Sequence, residues 1–187
     1  MFSDVLGVNQ IIANLSINGE IYDFGGLVGY VNQKSRINWG AAISHIPYTS
    51  GFSSYGYEKL PTANNTTTKV INFRTDIIRT FEDQAQLYAA YPFSKIHRFE
   101  AGTSFSHYSY RIDRYSNYRD TLGYYIGSDK RKISNEQATA DYGVPFNSFT
   151  LYQLNAGFVG DNSIFGVTAP LDGFRYRVSG EQYFGTY

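Results

Sequence analysis

The sequence lacks the residues from which most metal sites and covalent active sites are built. It contains no cysteine, which excludes a disulfide framework and a thiolate metal site. Its three histidines, His45, His97 and His107, have no paired spacing of the kind that metal ligands show. No serine lies in a Gly-x-Ser-x-Gly turn, the pattern of a hydrolase nucleophile. We therefore expect no cofactor, no metal and no enzymatic activity.

The chain also lacks long apolar runs and an excess of charge of either sign. No stretch of about 18 apolar residues occurs, so a transmembrane helix is excluded. Lys plus Arg and Asp plus Glu each number 16, and this balance lacks the basic excess of a protein that binds nucleic acid. The opening segment, MFSDVLGVNQ, has neither the basic stretch nor the apolar core of a secretory signal. If the protein is exported, we expect that signal upstream.

What the sequence does contain, almost throughout, is an alternation of apolar and polar residues. This period of two is typical of a β-strand with two different faces. The longest such segment keeps one phase from Val70 to Tyr91, which favours a single long strand over two strands that turn at Glu82 and Asp83. The sequence therefore predicts an all-β fold, an antiparallel up-and-down meander of about seven long strands. Their predicted bounds are 9–18, 24–32, 37–46, 69–91, 98–113, 148–160 and 173–187.

Two local signals add detail to this prediction. Asn18 and Gly19 form the dipeptide that is most typical of a tight two-residue hairpin turn. In the fifth predicted strand the apolar phase changes between Phe105 and Tyr108, which predicts a β-bulge there.

Each predicted strand has one apolar side and one polar side. Such strands suit a soluble sandwich, whose core covers the apolar side, and equally a membrane barrel with lipid on the apolar side and a wet lumen on the other. In a barrel, five residues are predicted to face lipid: Leu15, Ile43, Leu87, Phe105 and Leu154. Nine polar residues are predicted to face the lumen: Asn72, Arg74, Asp76, Gln84, Gln86, Glu100, Arg175, Arg177 and Glu181. We expect the two arginines of the last strand to pair with lumen carboxylates such as Glu100 or Glu181.

The lengths of the connections favour the barrel over the sandwich. The segments after the second, fourth and sixth strands are short or compact, whereas 47–68 and 114–147 are long and polar. In an up-and-down meander, alternate connections lie at the same end of the strands. Outer-membrane barrels combine short periplasmic turns with long outer loops. We therefore expect 47–68 and 114–147 to be loops on the outer side.

Four segments of the sequence together resemble a known family. They are FSDVLG, GGLVGYVNQKSRINWG, YPFSKIHRFEAG and VGDNSIFGVTAPLDGFRYRV. They resemble the bacterial surface antigen family, the BamA-like outer-membrane assembly barrels, and are most similar to the branch in which the barrel follows a TolB-like β-propeller. The resemblance implies a compact periplasmic turn at Asp161, Asn162, Pro170 and Gly173. It also implies that Arg175 and Arg177 point into the lumen.

The resemblance implies a location and a role as well. We expect the chain to lie in the bacterial outer membrane as a fragment of a larger transmembrane β-barrel. Its expected partners are outer-membrane lipid, the rest of its own barrel and the client proteins of a non-enzymatic assembly and insertion barrel. Two alternatives stay open: a small complete surface barrel that acts as an adhesin or binding protein, and a soluble β-sandwich binding module.

Overall fold

The protein is all-β, and its long strands form one antiparallel sheet. The structure, a computed structural model, describes residues 2–4, 6–17, 19–61, 67–165 and 170–186. The strands are β1 Phe2–Ser3, β2 Asn9–Ile17, β3 Phe24–Asn32, β4 Asn38–Pro61, β5 Thr67–Pro92, β6 His97–Arg119, β7 Tyr125–Ile133, β8 Phe149–Asp161, β9 Ile164–Phe165, β10 Pro170–Asp172 and β11 Arg175–Thr186. A 3₁₀ helix covers Ile21–Asp23, and one α-helix, α1, covers Asn135–Tyr142. No helix in these ranges is long and apolar enough to cross a membrane.

The sheet is an up-and-down meander, as the alternation predicts. Its order is β1-β2-β3-β4-β5-β6-β8-β11, and β7 pairs with β6 outside this path. Along β6, His97 to Tyr108 pair with β8, whereas Ile112 to Arg119 pair with β7. β9 and β10 form a separate two-stranded sheet. Within the described ranges β1 and β11 do not pair with each other, so the sheet is not closed.

The two predicted long loops are wrong, because most of both segments is regular structure. In the segment 47–68, β4 continues to Pro61 and β5 begins at Thr67, so the third strand does not end at residue 46 as predicted. Small polar side chains of the two strands contact each other here; Ser53 Oγ, for example, lies 3.1 Å from Thr75 Oγ1. Because these residues are polar, the sequence shows no apolar alternation that would have predicted the strands. In the segment 114–147, β6 continues to Arg119 and is followed by β7 and α1.

The two local predictions also differ from the structure. β2 ends at Ile17, which pairs with Phe24, so the connection is a longer loop that contains the 3₁₀ helix and not a two-residue turn. Asn18 itself lies outside the described residues. The pairing of β6 with β8 runs without a register shift from His97 to Tyr108, so it contains no bulge. The change of apolar phase after Tyr108 has another cause: the apolar side chains there are covered by the α1 region.

The segment after β8 is a compact turn, although nothing places it in a periplasm. Asp161 Oδ1 accepts hydrogen bonds from the backbone N–H of Ser163, at 3.1 Å, and from its hydroxyl group. Asn162 N–H donates to Phe174 O at 2.9 Å. Gly173 has φ = 103°, and a Cβ there would lie 2.0 Å from the carbonyl oxygen of Asn162, so the turn requires glycine at this position. The backbone of Pro170 pairs with Phe165 in the β9–β10 sheet, and its side chain lies outside the described part of the chain.

The chain divides into two compact units. Unit 1 contains the residues up to Ile46, Glu82–Tyr108 and the residues from Phe149 onward. Unit 2 contains Pro47–Phe81 and Ser109–Ser148. The buried apolar cluster belongs to unit 2, where Ile112 and Ile133 of the paired strands pack with two residues of the α1 region, Ala138 and Phe146.

A tight contact in unit 1 joins β4 to β5. Gly40 is buried, and a Cβ at this position would lie 2.4 Å from Tyr88 Cε1 and 2.9 Å from the backbone oxygen of Tyr30. The phenol ring of Tyr88 therefore occupies the space that any other side chain at position 40 would need.

We expect Gly40→Ala to lower the free energy of unfolding by about 1–3 kcal/mol, because both the Tyr88 ring and the backbone of β3 must move. Urea unfolding of the folded chain measures this change. Gly180→Ala in β11 is the matched control, since a Cβ there has no atom within 4 Å. Equal loss of stability in both variants would contradict the contact.

Candidate functional site

On the polar side of unit 1, side-chain hydrogen bonds join neighbouring strands from β5 to β11. Gln84 Nε2 of β5 donates to Ser106 Oγ of β6 at 3.2 Å. Further along β6, Ser104 Oγ donates to Gln153 Oε1 of β8 at 3.1 Å, and Gln153 Nε2 donates to Glu181 Oε2 of β11 at 3.4 Å. Two of the predicted lumen residues, Gln84 and Glu181, therefore bond to polar side chains of neighbouring strands on this side of the sheet. That this side faces a lumen stays a prediction.

The two arginines of β11 find carboxylates, as expected, but only one finds a predicted partner. Arg177 Nη2 lies 3.3 Å from Glu100 Oε2, whose other oxygen accepts a hydrogen bond from Arg98 Nε at 2.7 Å. Arg175 Nε instead lies 3.5 Å from Asp161 Oδ2, because these two residues are opposite each other in the register. The arginine side chains are more than half exposed, so each pair contributes at most about 1 kcal/mol.

The opposite side of unit 1 is apolar and uncovered. The five residues predicted to face lipid, Leu15, Ile43, Leu87, Phe105 and Leu154, are between 40% and 69% exposed. Residues from six strands line one shallow apolar depression of about 640 Å³ on this side, among them Ile43, Leu87 and Phe105. Monomeric soluble proteins seldom expose so continuous an apolar surface.

Unit 2 contains a different arrangement, a buried ion-pair cluster that we call the Asp76 cluster: Arg74, Asp76, Arg114, Asp141 and Tyr142. Arg114 Nε and Nη2 donate to the two carboxylate oxygens of Asp76 at 2.8 Å and 2.7 Å, a bidentate pair. Arg114 Nη2 also donates to Asp141 Oδ2 at 2.6 Å, and the hydroxyl of Tyr142 donates to Asp76 Oδ2 at 2.5 Å. Asp76 is fully buried, and Arg114 is 3% exposed.

Helix α1 completes this cluster because it brings Asp141 and Tyr142 onto β5 and β6. The helix begins at its N-cap, Ser134, whose hydroxyl accepts the backbone N–H of Gln137. It ends at Gly143, which has φ = 70° and donates its N–H to Thr139 O at 2.9 Å. The cluster and the apolar contacts of Ala138 beneath the same helix together hold it against the sheet.

The hydrogen bonds of the cluster shift the pKa values of its members. Burial alone would raise the pKa of Asp76, but the hydrogen bonds from Arg114 and Tyr142 outweigh it and lower that pKa below the ordinary value. The hydrogen bond to Asp76 raises the pKa of Arg114. Burial, followed by the hydrogen bond to Asp76, raises the pKa of Tyr142 to about 12. The ionised Asp76 and the neutral phenol are therefore the forms that the fold stabilises.

A second buried ion pair in unit 2 joins β5 to β6. Arg79 Nη1 lies 2.5 Å from Asp113 Oδ2, and both residues are 2% exposed. Arg111 Nε donates to the same oxygen at 2.9 Å. A shift between the two strands would separate Arg79 from Asp113 and leave both charges buried without a partner. Because an uncompensated buried charge is strongly unfavourable, this pair stabilises the observed alignment of β5 and β6.

The sequence analysis named only part of these sites. It named Arg74 and Asp76 as lumen residues together with Asn72, but the structure places all three in unit 2, where Asp76 is buried in the cluster. It missed Arg114, Asp141 and Tyr142, which lie in the segment that was predicted to be a loop. One signal was available: Ser134 followed three residues later by Gln137 is a helix-start pattern, and Gly143 is a typical helix end.

Comparisons with protein-family models, with curated proteins and with solved structures return no match. The resemblance to the surface antigen family therefore stays a prediction. Among the residues that the structure describes, no group of three His, Cys, Asp or Glu side chains is placed to hold a metal ion.

Neutralising the buried carboxylate should strongly destabilise unit 2. We expect Asp76→Asn to lower the free energy of unfolding by about 3 kcal/mol or more, because Arg114 stays buried without its bidentate partner. Asp83→Asn in the same strand is the control: its side chain is 53% exposed beside His45, and we expect a change within about 1 kcal/mol. Urea unfolding followed by circular dichroism compares the two, and a larger effect at Asp83 would contradict the role of the cluster.

The raised pKa of Tyr142 predicts a loss of stability at alkaline pH. A group whose pKa is raised in the folded state contributes its full stabilisation below its ordinary pKa of 10.0, and loses it as the pH rises to about 12. We expect the urea midpoint to fall between these pH values in the native chain and to fall less in Tyr142→Phe, which has no ionisable phenol at this position. At pH 8 the variant should be the less stable one, because it lacks the hydrogen bond to Asp76. Parallel pH profiles for the two proteins would argue against the raised pKa.

Proposed function

We propose that unit 1 is part of the wall of an outer-membrane β-barrel, with its apolar side against lipid and its polar side toward a water-filled lumen. The observation that carries this proposal is the exposed apolar side itself. A soluble sandwich needs a second layer over that side, and in the described ranges the other sheet has only the two short strands β9 and β10. Lipid is the partner whose chemistry matches a broad, uncharged and continuous apolar surface.

The strand lengths in unit 1 support the same proposal. β2 and β3 have 9 residues each, β8 has 13 and β11 has 12. β4, β5 and β6 contribute the stretches 38–46, 82–92 and 97–108 to this unit, which are of similar length. A transmembrane β-strand needs about 9–11 residues. The spanning segments then belong to unit 1, and the Asp76 cluster lies outside them.

A spanning sheet must also satisfy the backbone groups at its edges, because lipid offers no hydrogen bonds. In the described part of the chain β11 pairs only with β8, and the short strand β1 covers only Gln10 and Ile11 on the outer edge of β2. We therefore infer that further strands of the same barrel pair with β2 and β11. In this proposal the chain is a segment of a larger barrel of the bacterial outer membrane. A role in protein assembly or insertion is proposed on the sequence resemblance alone.

Leu87→Arg and Gln86→Arg test which side meets lipid, because the two residues are neighbours in β5 and both are exposed. An arginine near the bilayer midplane on the lipid side costs about 2–4 kcal/mol, so we expect at least about a tenfold drop in vesicle incorporation for Leu87→Arg. Gln86→Arg should insert like the native chain.

Trp39, the only tryptophan, reports insertion directly. Its indole is 42% exposed, and in β4 it lies on the same side as Ile43. In vesicles with brominated acyl chains we expect its fluorescence to be quenched in the native chain and in Gln86→Arg, and much less so in Leu87→Arg. Equal quenching in the native chain and both variants would contradict the proposal. So would a native chain that stays a soluble monomer and does not bind vesicles.

A further inference from the structure

The two sides of the sheet in unit 2 differ in charge. One side packs on the α1 region through Ile112 and Ile133, which lie opposite each other in β6 and β7. Side chains alternate along a strand, so the next pair in this register, Asp113 and Lys132, points to the other side. We call this other side of β4 to β7 the basic face. Its exposed basic residues are Lys59, Lys69, Arg119, Lys130 and Lys132.

Contacts between strands place residues of β4 and β5 on the same face. Arg79 of β5 forms its ion pair with Asp113, so Phe73, an even number of positions earlier in that strand, lies on this face as well. The ring of Tyr55 in β4 is centred 6.1 Å from that of Phe73. This contact brings Tyr55 to the basic face, together with Tyr57, the next residue on the same side of β4.

Three of the exposed cations lie over aromatic rings of this face. The distances from the charged group to the ring centre are 4.1 Å for Lys69 and Tyr57, 4.9 Å for Lys130 and Tyr115, and 5.8 Å for Arg119 and Phe73. A cation is attracted to the face of such a ring, which holds it in place without neutralising its charge. Lys59 follows Tyr57 by two positions in β4 and extends the row. The basic face therefore combines positive charge with exposed aromatic surface.

The positive charge of this face is only partly compensated. Besides the exposed cations it carries Arg79 and Arg111, which both form ion pairs with Asp113. Among the residues that the structure describes, Asp113 is the only carboxylate that the strands place on this face, and it is 2% exposed. Asp120, in the turn after β6, accepts two backbone N–H groups of that turn. Seven basic residues against these two carboxylates leave a net charge of +5.

The other carboxylates of unit 2 belong to the α1 side. Glu58 bonds to Asn72, which lies on the same side of β5 as Asp76. Asp129 lies opposite Ser116 in the β6–β7 register, also on the α1 side. The remaining two are Glu136 and Asp141, both in α1. The sheet therefore separates charge, with the excess of basic residues on one face.

The composition of the basic face favours a lipid surface as its partner. Phosphate headgroups supply negative charge, and each Lys or Arg near an anionic membrane adds to the attraction. Tyrosine is enriched where a membrane meets water, because its ring is apolar and its hydroxyl is polar. Tyr55 and Tyr57 are both exposed on this face.

The path of the chain favours lipid over other polyanions, such as nucleic acids. β4, β5 and β6 each pass from unit 1 into unit 2 without interruption, at residues 46–47, 81–82 and 108–109. If unit 1 spans a membrane, as proposed above, unit 2 begins where the spanning segments end. Lys132, for example, lies opposite Asp113, only a few residues beyond the boundary in β6.

We propose that the basic face of unit 2 binds the phosphate headgroups of an anionic lipid surface. The exposed lysines and Arg119 bind the phosphates, and the exposed tyrosines lie among the headgroups. The choice of lipid rests on the proposed function of unit 1, whereas the excess of positive charge belongs to unit 2 alone.

Competition between two kinds of vesicle tests this proposal with the folded full chain. Phosphatidylcholine vesicles and sucrose-loaded vesicles that also contain phosphatidylglycerol are offered together in equal amounts, and centrifugation then separates them. The measured quantity is the ratio of chain in the phosphatidylglycerol vesicles to chain in the phosphatidylcholine vesicles. We expect a ratio of about a hundred or more at about 0.1 M salt and below about ten at about 1 M salt, because salt screens exposed charges.

Lys132→Gln and Arg131→Gln are a matched pair of variants. The two residues are neighbours in β7 and both are exposed, but Arg131 lies opposite Arg114 on the α1 side. We expect Lys132→Gln to lower the ratio by about fivefold, and Lys130→Gln to do the same. Arg131→Gln should stay within about twofold of the native chain. Circular dichroism checks the fold of each variant, and Lys69→Gln replaces a lysine variant that does not fold.

A ratio near one for the native chain, or equal effects of Lys132→Gln and Arg131→Gln, would overturn the proposal. Displacement of the chain from the phosphatidylglycerol vesicles by single-stranded oligothymidylate, at equal phosphate concentration, would overturn the choice of lipid in favour of a nucleic acid.

Quenching of Trp39 in pure phosphatidylcholine vesicles separates these results from the proposal for unit 1, because it reports insertion and does not depend on the basic face. Insertion without a preference for phosphatidylglycerol would contradict only the role of the basic face. A preference without insertion would contradict only the membrane span, and a chain that binds neither kind of vesicle would contradict both proposals.

Discussion

The arrangement of side chains in unit 1 depends on the hydrogen-bond register between its strands. Because successive residues point to opposite faces, a slip of one residue between β6 and β8 would exchange the polar and apolar sides. In the observed register Phe105 lies opposite Tyr152, and Ser104 lies opposite Gln153. Gln153 also bonds to Glu181 of the next strand, so one amide joins β6, β8 and β11. The polar contacts contribute little free energy each, but together they allow only one alignment.

In unit 2 the alignment of the strands depends on a buried ion pair and on a helix that covers part of the sheet. A buried ion pair is favourable only when further hydrogen bonds satisfy its remaining donors and acceptors. Asp76 and Arg114 come from adjacent strands, and α1 supplies the phenol of Tyr142 and the carboxylate of Asp141 that complete them. The helix in turn has only eight residues and few apolar contacts of its own, so it depends on these bonds for its position. Strands and helix therefore stabilise each other.

Most strands were predictable because their apolar residues alternate, as at Phe99 to Phe105 and at Tyr152 to Phe158. The extension of β4 beyond Ile46 was not, since its serines, glycines and tyrosines resemble those of a loop and are placed by pairing with β5. The Asp76 cluster was still harder to predict from the sequence. Asp76 and Arg114 are far apart in the sequence, and only the pairing of strands brings them together. Tyr142 adds a contact through α1, whose end signals at Ser134 and Gly143 are local and readable.

β7 is an edge strand: in the described part of the chain its only pairing partner is β6. An open edge of this kind offers free backbone groups to any passing strand, which is how sheets grow into aggregates. β7 carries four consecutive exposed charged residues, Asp129, Lys130, Arg131 and Lys132. In-register parallel pairing with a second copy would set each of these charges against its like. Parallel self-association through the β7 edge is therefore disfavoured, and this strand is a poor template for joining copies of the protein into one sheet.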